Sequence, residues 1–123
     1  MREFTLSVDH GYELKIVLAD DIRAACGYDC RACYQPGGPV VMDPSTMIPR
    51  IWGSSIFGTI YLDESRVGVG AVAHELLHFL IDWTTVFAWD LALEDEEKAC
   101  RLFGRLTTDF WRQYKESRNE AGT

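Results

Sequence analysis

The chain has 123 residues, 47% of them apolar and 25% charged, which fits one globular domain over residues 1–123 and excludes a disordered segment. Its net charge of −7 argues against a nucleic-acid-binding surface, which needs a basic face. No stretch approaches the roughly 18 uninterrupted apolar residues of a membrane span. The first residues lack the apolar core of a signal peptide, so we expect a cytoplasmic protein with no membrane partner.

The N-terminal part of the chain predicts a β-hairpin followed by a short helix. Apolar residues alternate with polar ones over residues 3–18, and Asp9-His10-Gly11 interrupts the alternation with a turn signal. Asp20 or Asp21 can then cap a short helix over Ile22–Cys26. We therefore expect a strand pair with an exposed turn histidine.

The middle of the chain predicts two further strands. Residues 39–43 indicate a short buried strand that Pro44 ends. Residues 44–55 contain prolines and a glycine and predict irregular structure. Ile56–Asp63 predicts another strand, in which Gly58 indicates a bulge or a sheet edge.

Residues 69–83 predict a helix that gathers its polar side chains on one side. Asp63 or Ser65 can cap it, and its remaining residues are apolar or glycine. At about 100° per residue, four polar side chains share an arc of about 100°: His74, Glu75, His78 and Asp82. A helix that is apolar nearly all round is buried, and burying these groups unpaired would cost several kcal/mol. A bound metal ion would remove that cost.

The stretch from His74 to His78 matches the H-E-x-x-H pattern of zinc-protease helices. Positions i and i+4 lie one above the other, so both imidazoles can bind one zinc ion. Glu75 is then placed to take a proton from a water molecule on that zinc. Asp82, one turn past His78, can orient the His78 ring by a hydrogen bond. The alternative is a core helix with two hydrogen-bonded histidines and a surface glutamate.

The last helix, predicted over residues 94–114 after an aromatic-rich connection, offers a third ligand. A catalytic zinc usually has three protein ligands and one open position. Projection of this helix puts Glu96 within the apolar face and Glu97 on its rim. We predict Glu96 as the third ligand, with Glu97 as the alternate and His10 as a weaker candidate. The alternative is that these acids face water and interact with the helix dipole.

Together these elements predict an α+β fold, with a small, mostly antiparallel sheet packed on the motif helix and a long C-terminal helix. H-E-x-x-H followed by a glutamate on a later helix resembles the gluzincin type of zinc metallopeptidase. The residues from Glu96 to Ala99 resemble the E-x-x-A pattern around that family's third ligand. The short chain and the strand I-Y-L-D before the motif are similar to small intracellular ImmA/IrrE-like and phage-encoded metallopeptidase domains.

The resemblance covers roughly residues 56–110 and implies a minimal zincin-like domain with zinc as cofactor. It makes three residues zinc ligands: His74, His78 and Glu96. It makes Glu75 the general base in hydrolysis of a peptide or protein substrate. The strand Ile56–Asp63 would be the sheet edge that binds an extended peptide by strand addition.

Cys26, Cys30 and Cys33 form a second candidate metal site. Their C-x3-C-x2-C spacing resembles the iron–sulfur motif of radical SAM enzymes, but that family needs a much larger barrel than this chain supplies. A structural zinc, with Cys100 or His10 as fourth ligand, fits better. The alternative is reduced cysteines in a loop, some of them pairing on oxidation, although a cytoplasmic protein does not form disulfides by default.

A non-catalytic function also fits the sequence. A zincin-fold protein can use zinc for structure alone and serve as a partner-binding or regulatory module. Exposed aromatic residues would favour such a partner surface. The zinc's fourth position separates the two functions, because an open position indicates an enzyme and a fourth side chain indicates a structural site.

Overall fold

The computed structural model describes residues 2–121, with side chains through residue 119. The predicted α+β class is confirmed. The elements in chain order are β1 (Arg2–Ser7), β2 (Glu13–Ala19), α1 (Ile22–Cys26), β3 (Ala32–Pro36), β4 (Val40–Met42), β5 (Pro49–Ile51), β6 (Ile56–Asp63), a 3-10 turn (Glu64–Arg66), α2 (Val69–Val86) and α3 (Glu96–Ala121).

Four strands form the main sheet in the order β1-β2-β6-β3. The pairs β1–β2 and β3–β6 are antiparallel, whereas β2 and β6 run parallel. In the aligned register Leu18 lies between its partners, Arg2 on β1 and Leu62 on β6. The sheet is therefore mostly antiparallel, as the sequence predicts.

The predicted hairpin and short helix are both present. His10 and Gly11 adopt positive φ angles of 57° and 78° in the turn between β1 and β2. Asp21 caps α1, since its carboxylate accepts a 3.1 Å hydrogen bond from the amide of Ala24. Local sequence signals were sufficient in this part of the chain.

The predicted sheet edge at β6 is wrong. Strand β6 pairs on both sides, with β2 and with β3, so it cannot add a peptide strand. The edge beside it is β3, which lies in a stretch where the sequence predicts no strand. Gly58 does accompany the expected irregularity, because the β2–β6 register shifts between Glu13 and Leu14, opposite Ile56 and Gly58.

Strand β4 is exposed throughout, although the sequence predicts a buried strand there. It pairs with β5, which falls in a stretch predicted to be irregular, and the two form a separate two-stranded sheet. The apolar sequence of β4 indicated burial, but a two-stranded sheet of three-residue strands has little surface with which to cover its own side chains.

Helix α2 packs one face against the main sheet and leaves the other open. Buried positions recur at helical spacing: Val72, Glu75, Leu76, Phe79, Leu80, Trp83 and Thr84. Leu77 and Ile81 on the opposite face are 50% and 56% exposed, so the expectation of a helix buried all round is wrong. The helix begins after Gly68 without a side-chain cap, because Asp63 caps the preceding 3-10 turn.

Helix α3 adds Ala99, Leu102, Leu106 and Phe110 to the same core. No helix among residues 2–121 is long and apolar enough to cross a membrane.

Candidate metal centre

Helix α2 brings His74, Glu75 and His78 together as the sequence predicts. The Nε2 atoms of the two histidines lie 3.2 Å apart. His74 Nε2 is 3.8 Å from Glu75 Oε1, and one ligand atom from each of the three residues fits within 4.8 Å. The arrangement follows from helical spacing, which puts the imidazoles of positions i and i+4 on adjacent turns.

The separation of the two imidazole nitrogens is compatible with one shared metal ion. Zinc–nitrogen bonds of about 2.0–2.1 Å in a tetrahedron place two ligand nitrogens about 3.3 Å apart. The observed 3.2 Å also fits an N–H···N hydrogen bond between a neutral donor and an acceptor ring. The pair can therefore share either one proton or one metal ion without rearrangement of the helix.

Glu75 lies behind the histidines and is only 5% exposed. Its Oε2 atom is buried without a hydrogen-bond partner in the described part of the chain. Burial raises the pKa of this carboxyl group, and the neighbouring His74 and His78 partly oppose that effect. A buried unpaired carboxylate oxygen is costly, and a cation or a donor at the site would satisfy it.

The front of the site is open. The side chain of His74 is 69% exposed, and His78 is exposed as well. A cavity of about 400 Å³ adjoins His74 and Glu75 and extends towards Arg31 and the first turn of α2. Imidazoles thus face solvent while the carboxylate lies at the back, and a bound ion would have room for an outside ligand.

The prediction that Glu96 projects into the core as third ligand is not supported. Glu96 and Glu97 are both exposed, and Glu97 Oε1 accepts a 3.1 Å hydrogen bond from Arg101 Nε. Among described residues, the metal-capable cluster at α2 consists of His74, Glu75 and His78. The helical projection failed because α3 begins at Glu96 and its burial begins only at Ala99, so the first turn extends past the core.

Asp82 has a different partner from the one predicted. Its Oδ2 accepts a 2.6 Å hydrogen bond from the hydroxyl of Tyr34, whose pKa is raised by burial and by this carboxylate. Tyr34 lies on β3 and was missed by sequence reasoning. The available signal was Gly58, because a Cβ atom there would overlap the Tyr34 ring.

The cysteine site is also corrected. Cys26 and Cys33 form a disulfide, with their Cα atoms 6.1 Å apart. A disulfide sulfur is not a thiolate ligand, so the three-cysteine metal site is not present. Cys30 is half-buried and free, and Cys100 is exposed on α3. His10 instead stacks on Phe87 with ring centroids 5.0 Å apart.

Comparison with protein-family models, curated proteins and solved structures found no match to this chain. Function must therefore be inferred from the geometry of the site.

Proposed function

We propose that the protein is a small zinc-dependent metallopeptidase with Glu75 as general base. One observation carries the proposal. The buried Oε2 of Glu75 has no partner among the described residues, and it lies beside two imidazoles whose Nε2 atoms are 3.2 Å apart. The site therefore combines a carboxylate that can accept a proton with two imidazoles at a spacing that suits one metal ion.

Two of the three protein ligands usual for a catalytic zinc are present, and both are imidazoles. Two neutral imidazoles suit zinc better than the hard cations magnesium and calcium, which prefer oxygen ligands. When bound, zinc acidifies a water molecule and polarises a carbonyl group. His74 and His78 would hold the ion, and the exposure of both rings leaves room for a substrate in front of it.

Glu75 would move the proton. Burial raises the pKa of its carboxyl group, which makes it a stronger base than an exposed glutamate. It would accept a proton from the attacking water and donate it to the leaving amine. The edge strand β3 lies beside α2 and offers unpaired backbone groups to an extended peptide, the role that the sequence assigned to β6.

A second function is favoured by the exposed apolar side chains on α2. Leu77 and Ile81 lie on the open side of the helix with His74 and His78. An apolar rim around two exposed imidazoles suits a protein partner that covers the helix and completes the coordination of the ion. The protein would then be a non-catalytic metal-binding module.

Zinc titration combined with peptide cleavage tests both functions. Glu75→Gln keeps zinc binding and loses hydrolysis by about a hundredfold or more if Glu75 is the general base. His74→Ala loses both. Glu97→Gln, which removes the same charge at an exposed position, changes neither.

The outcomes separate the two functions. Cleavage by Glu75→Gln at the wild-type rate overturns the peptidase. A wild-type protein that binds zinc and cleaves no member of a diverse peptide library is the non-catalytic module. Absence of zinc binding by the wild-type protein would contradict both the peptidase and the metal-binding module.

A further inference from the structure

Arg31 is the exception among the arginines of the described chain. Seven others form ion pairs with aspartate or glutamate, and Arg118 lies over the ring of Tyr114. Arg31 is exposed and has no ion pair or ring contact within residues 2–119. It also lines the cavity that adjoins His74 and Glu75. The unpaired guanidinium of this acidic protein is therefore at the candidate metal centre.

The rest of that cavity also suits an anion at the Arg31 end. The cavity includes Gly70 in the first turn of α2, where a side chain would enter open space. The N-cap residue Gly68 provides no side-chain hydrogen bond, so the first amides of α2 remain uncovered. Helix N-termini carry partial positive charge, which adds to that of the guanidinium.

The two ends of the cavity call for different groups. At one end the cavity is lined by His74 and by Glu75, whose buried Oε2 has no partner, and with the neighbouring His78 these groups suit a cation. At the other end Arg31 calls for a carboxylate, which a guanidinium binds through two parallel hydrogen bonds. Gly70 precedes His74 by four positions, a rise of about 6 Å along the helix. Roughly two extended substrate residues span that distance.

We propose that Arg31 binds a substrate carboxylate close to the bond that is cleaved. This inference rests on the proposed peptidase function for the position of the bond. The substrate class is a peptide that carries a carboxylate beside that bond, either the C-terminal α-carboxylate or an aspartate or glutamate side chain. Gly70, Ala71 and Ala32 line the same cavity and keep it free of large side chains.

Binding to the metal-free protein tests the carboxylate site separately from catalysis. Three probes are titrated while the amide signals of Gly70 and Ala71 and the Arg31 Nε–H signal are followed by NMR. N-acetylglycine carries an α-carboxylate, and the α-amide of N-acetylaspartate carries a side-chain carboxylate. N-acetylglycinamide is the neutral control. We expect at least one carboxylate probe to shift these signals and the neutral probe to leave them unchanged.

Two variants make the result specific. Arg31→Gln should weaken carboxylate binding by about tenfold or more, as expected for loss of charge-assisted hydrogen bonds. Arg101→Gln removes the same charge from an exposed position on α3 and should leave binding unchanged. Carboxylate binding that survives in Arg31→Gln, or that is absent in the wild type, overturns the proposal.

Peptide cleavage by the zinc-loaded protein tests whether carboxylate binding by Arg31 contributes to catalysis. Arg31→Gln should lower kcat/KM for peptides with the preferred carboxylate and leave the amidated or uncharged peptide unaffected. If the probes bind through Arg31 but no peptide is cleaved, the carboxylate site stands and the peptidase function fails. If peptides are cleaved with no difference between the wild type and Arg31→Gln, the peptidase stands and the role of Arg31 fails.

Discussion

The hydroxyl of Tyr34 donates a 2.6 Å hydrogen bond to Oδ2 of Asp82 and thereby joins the edge strand β3 to helix α2. Asp82 lies one turn beyond His78, on the helix that carries the candidate metal ligands. Tyr34 also packs edge-on against Phe79, with ring centroids 6.1 Å apart. Tyr34 therefore links the sheet edge to the helix that carries the site by both a hydrogen bond and a ring contact.

Tyr34→Phe should destabilise the protein by about 1–2 kcal/mol, because it leaves a partly buried Asp82 carboxylate without its donor. Chemical denaturation measures the change. Tyr61→Phe is the matched control, since no hydrogen bond of the Tyr61 hydroxyl is found within the described residues. Equal effects of the two substitutions would show that the Tyr34–Asp82 bond contributes nothing.

Gly58→Ala should destabilise by about 1–3 kcal/mol, because the new methyl group overlaps the Tyr34 ring. Most of this cost should disappear in a Tyr34→Ala background, which a double-mutant cycle measures. Gly104→Ala is the control in open space on α3 and should stabilise by about 0.5–1 kcal/mol. An additive cycle would contradict the proposed overlap.

Glu75→Gln should stabilise the metal-free protein at neutral pH. Burial raises the pKa of Glu75 in the folded state, so the folded protein binds this proton more tightly than the unfolded chain does. The contribution of the Glu75 carboxyl group to wild-type stability is fully present below the unfolded pKa of 4.5. It is lost as the pH rises through the pKa of the group in the folded state. The advantage of the variant should shrink as the pH falls below 4.5, as measured by urea denaturation across pH. A constant difference at all pH values would contradict this.

The carboxyl group of Asp43 should titrate at a pKa of about 2, which carbon-detected NMR can follow. The hydroxyl of Ser45 is the largest cause of this low value, and Arg50 contributes less. Ser45→Ala should therefore raise the pKa of Asp43 more than Arg50→Gln does. Because the folded pKa is depressed, the stabilising effect of the ionised group is present above the unfolded value of 3.8 and is lost as pH falls to about 2.

Thiol titration of the denatured, unreduced protein should find the two free cysteines Cys30 and Cys100. Reduction of Cys26–Cys33, which are separated by seven positions, should lower stability by about 2.5 kcal/mol through the entropy of the unfolded chain. Cys100→Ser should remove one thiol without changing that difference. Four free thiols before reduction, or a second zinc bound by the cysteines, would contradict the pairing.

Local patterns predicted the parts of the fold that depend on neighbouring residues. Alternation over residues 3–18 and the turn at Asp9 to Gly11 were enough for the β1–β2 hairpin. The spacing of His74 and His78 was enough to bring their rings together, because both lie on one helix. None of these features requires knowledge of how distant segments meet.

The errors concern long-range packing. Strand β3 has only five residues and includes Cys33 of the cysteine motif, so its sequence gives little sign that it pairs with β6. The apolar residues Leu77 and Ile81 suggested a buried helix, but only one face of α2 meets the sheet. The predicted inward projection of Glu96 was wrong for the same reason, because helical projection gives the direction of a side chain on its own helix and not its distance from another helix.

The parallel pairing of β2 with β6 has a consequence for folding kinetics. Leu18 and Leu62 are paired in register, with more than forty residues of chain between them. Pairing these strands is slow, because the entropy of closing so long a loop is lost before the stabilising contacts form. The β1–β2 hairpin closes a short loop and can form early. Helix α2 needs the completed sheet to bury Phe79 and Trp83. In the proposed zinc site, the burial of Glu75 behind the imidazoles should therefore form at the rate of β2–β6 pairing, after helix formation has brought His74 and His78 together.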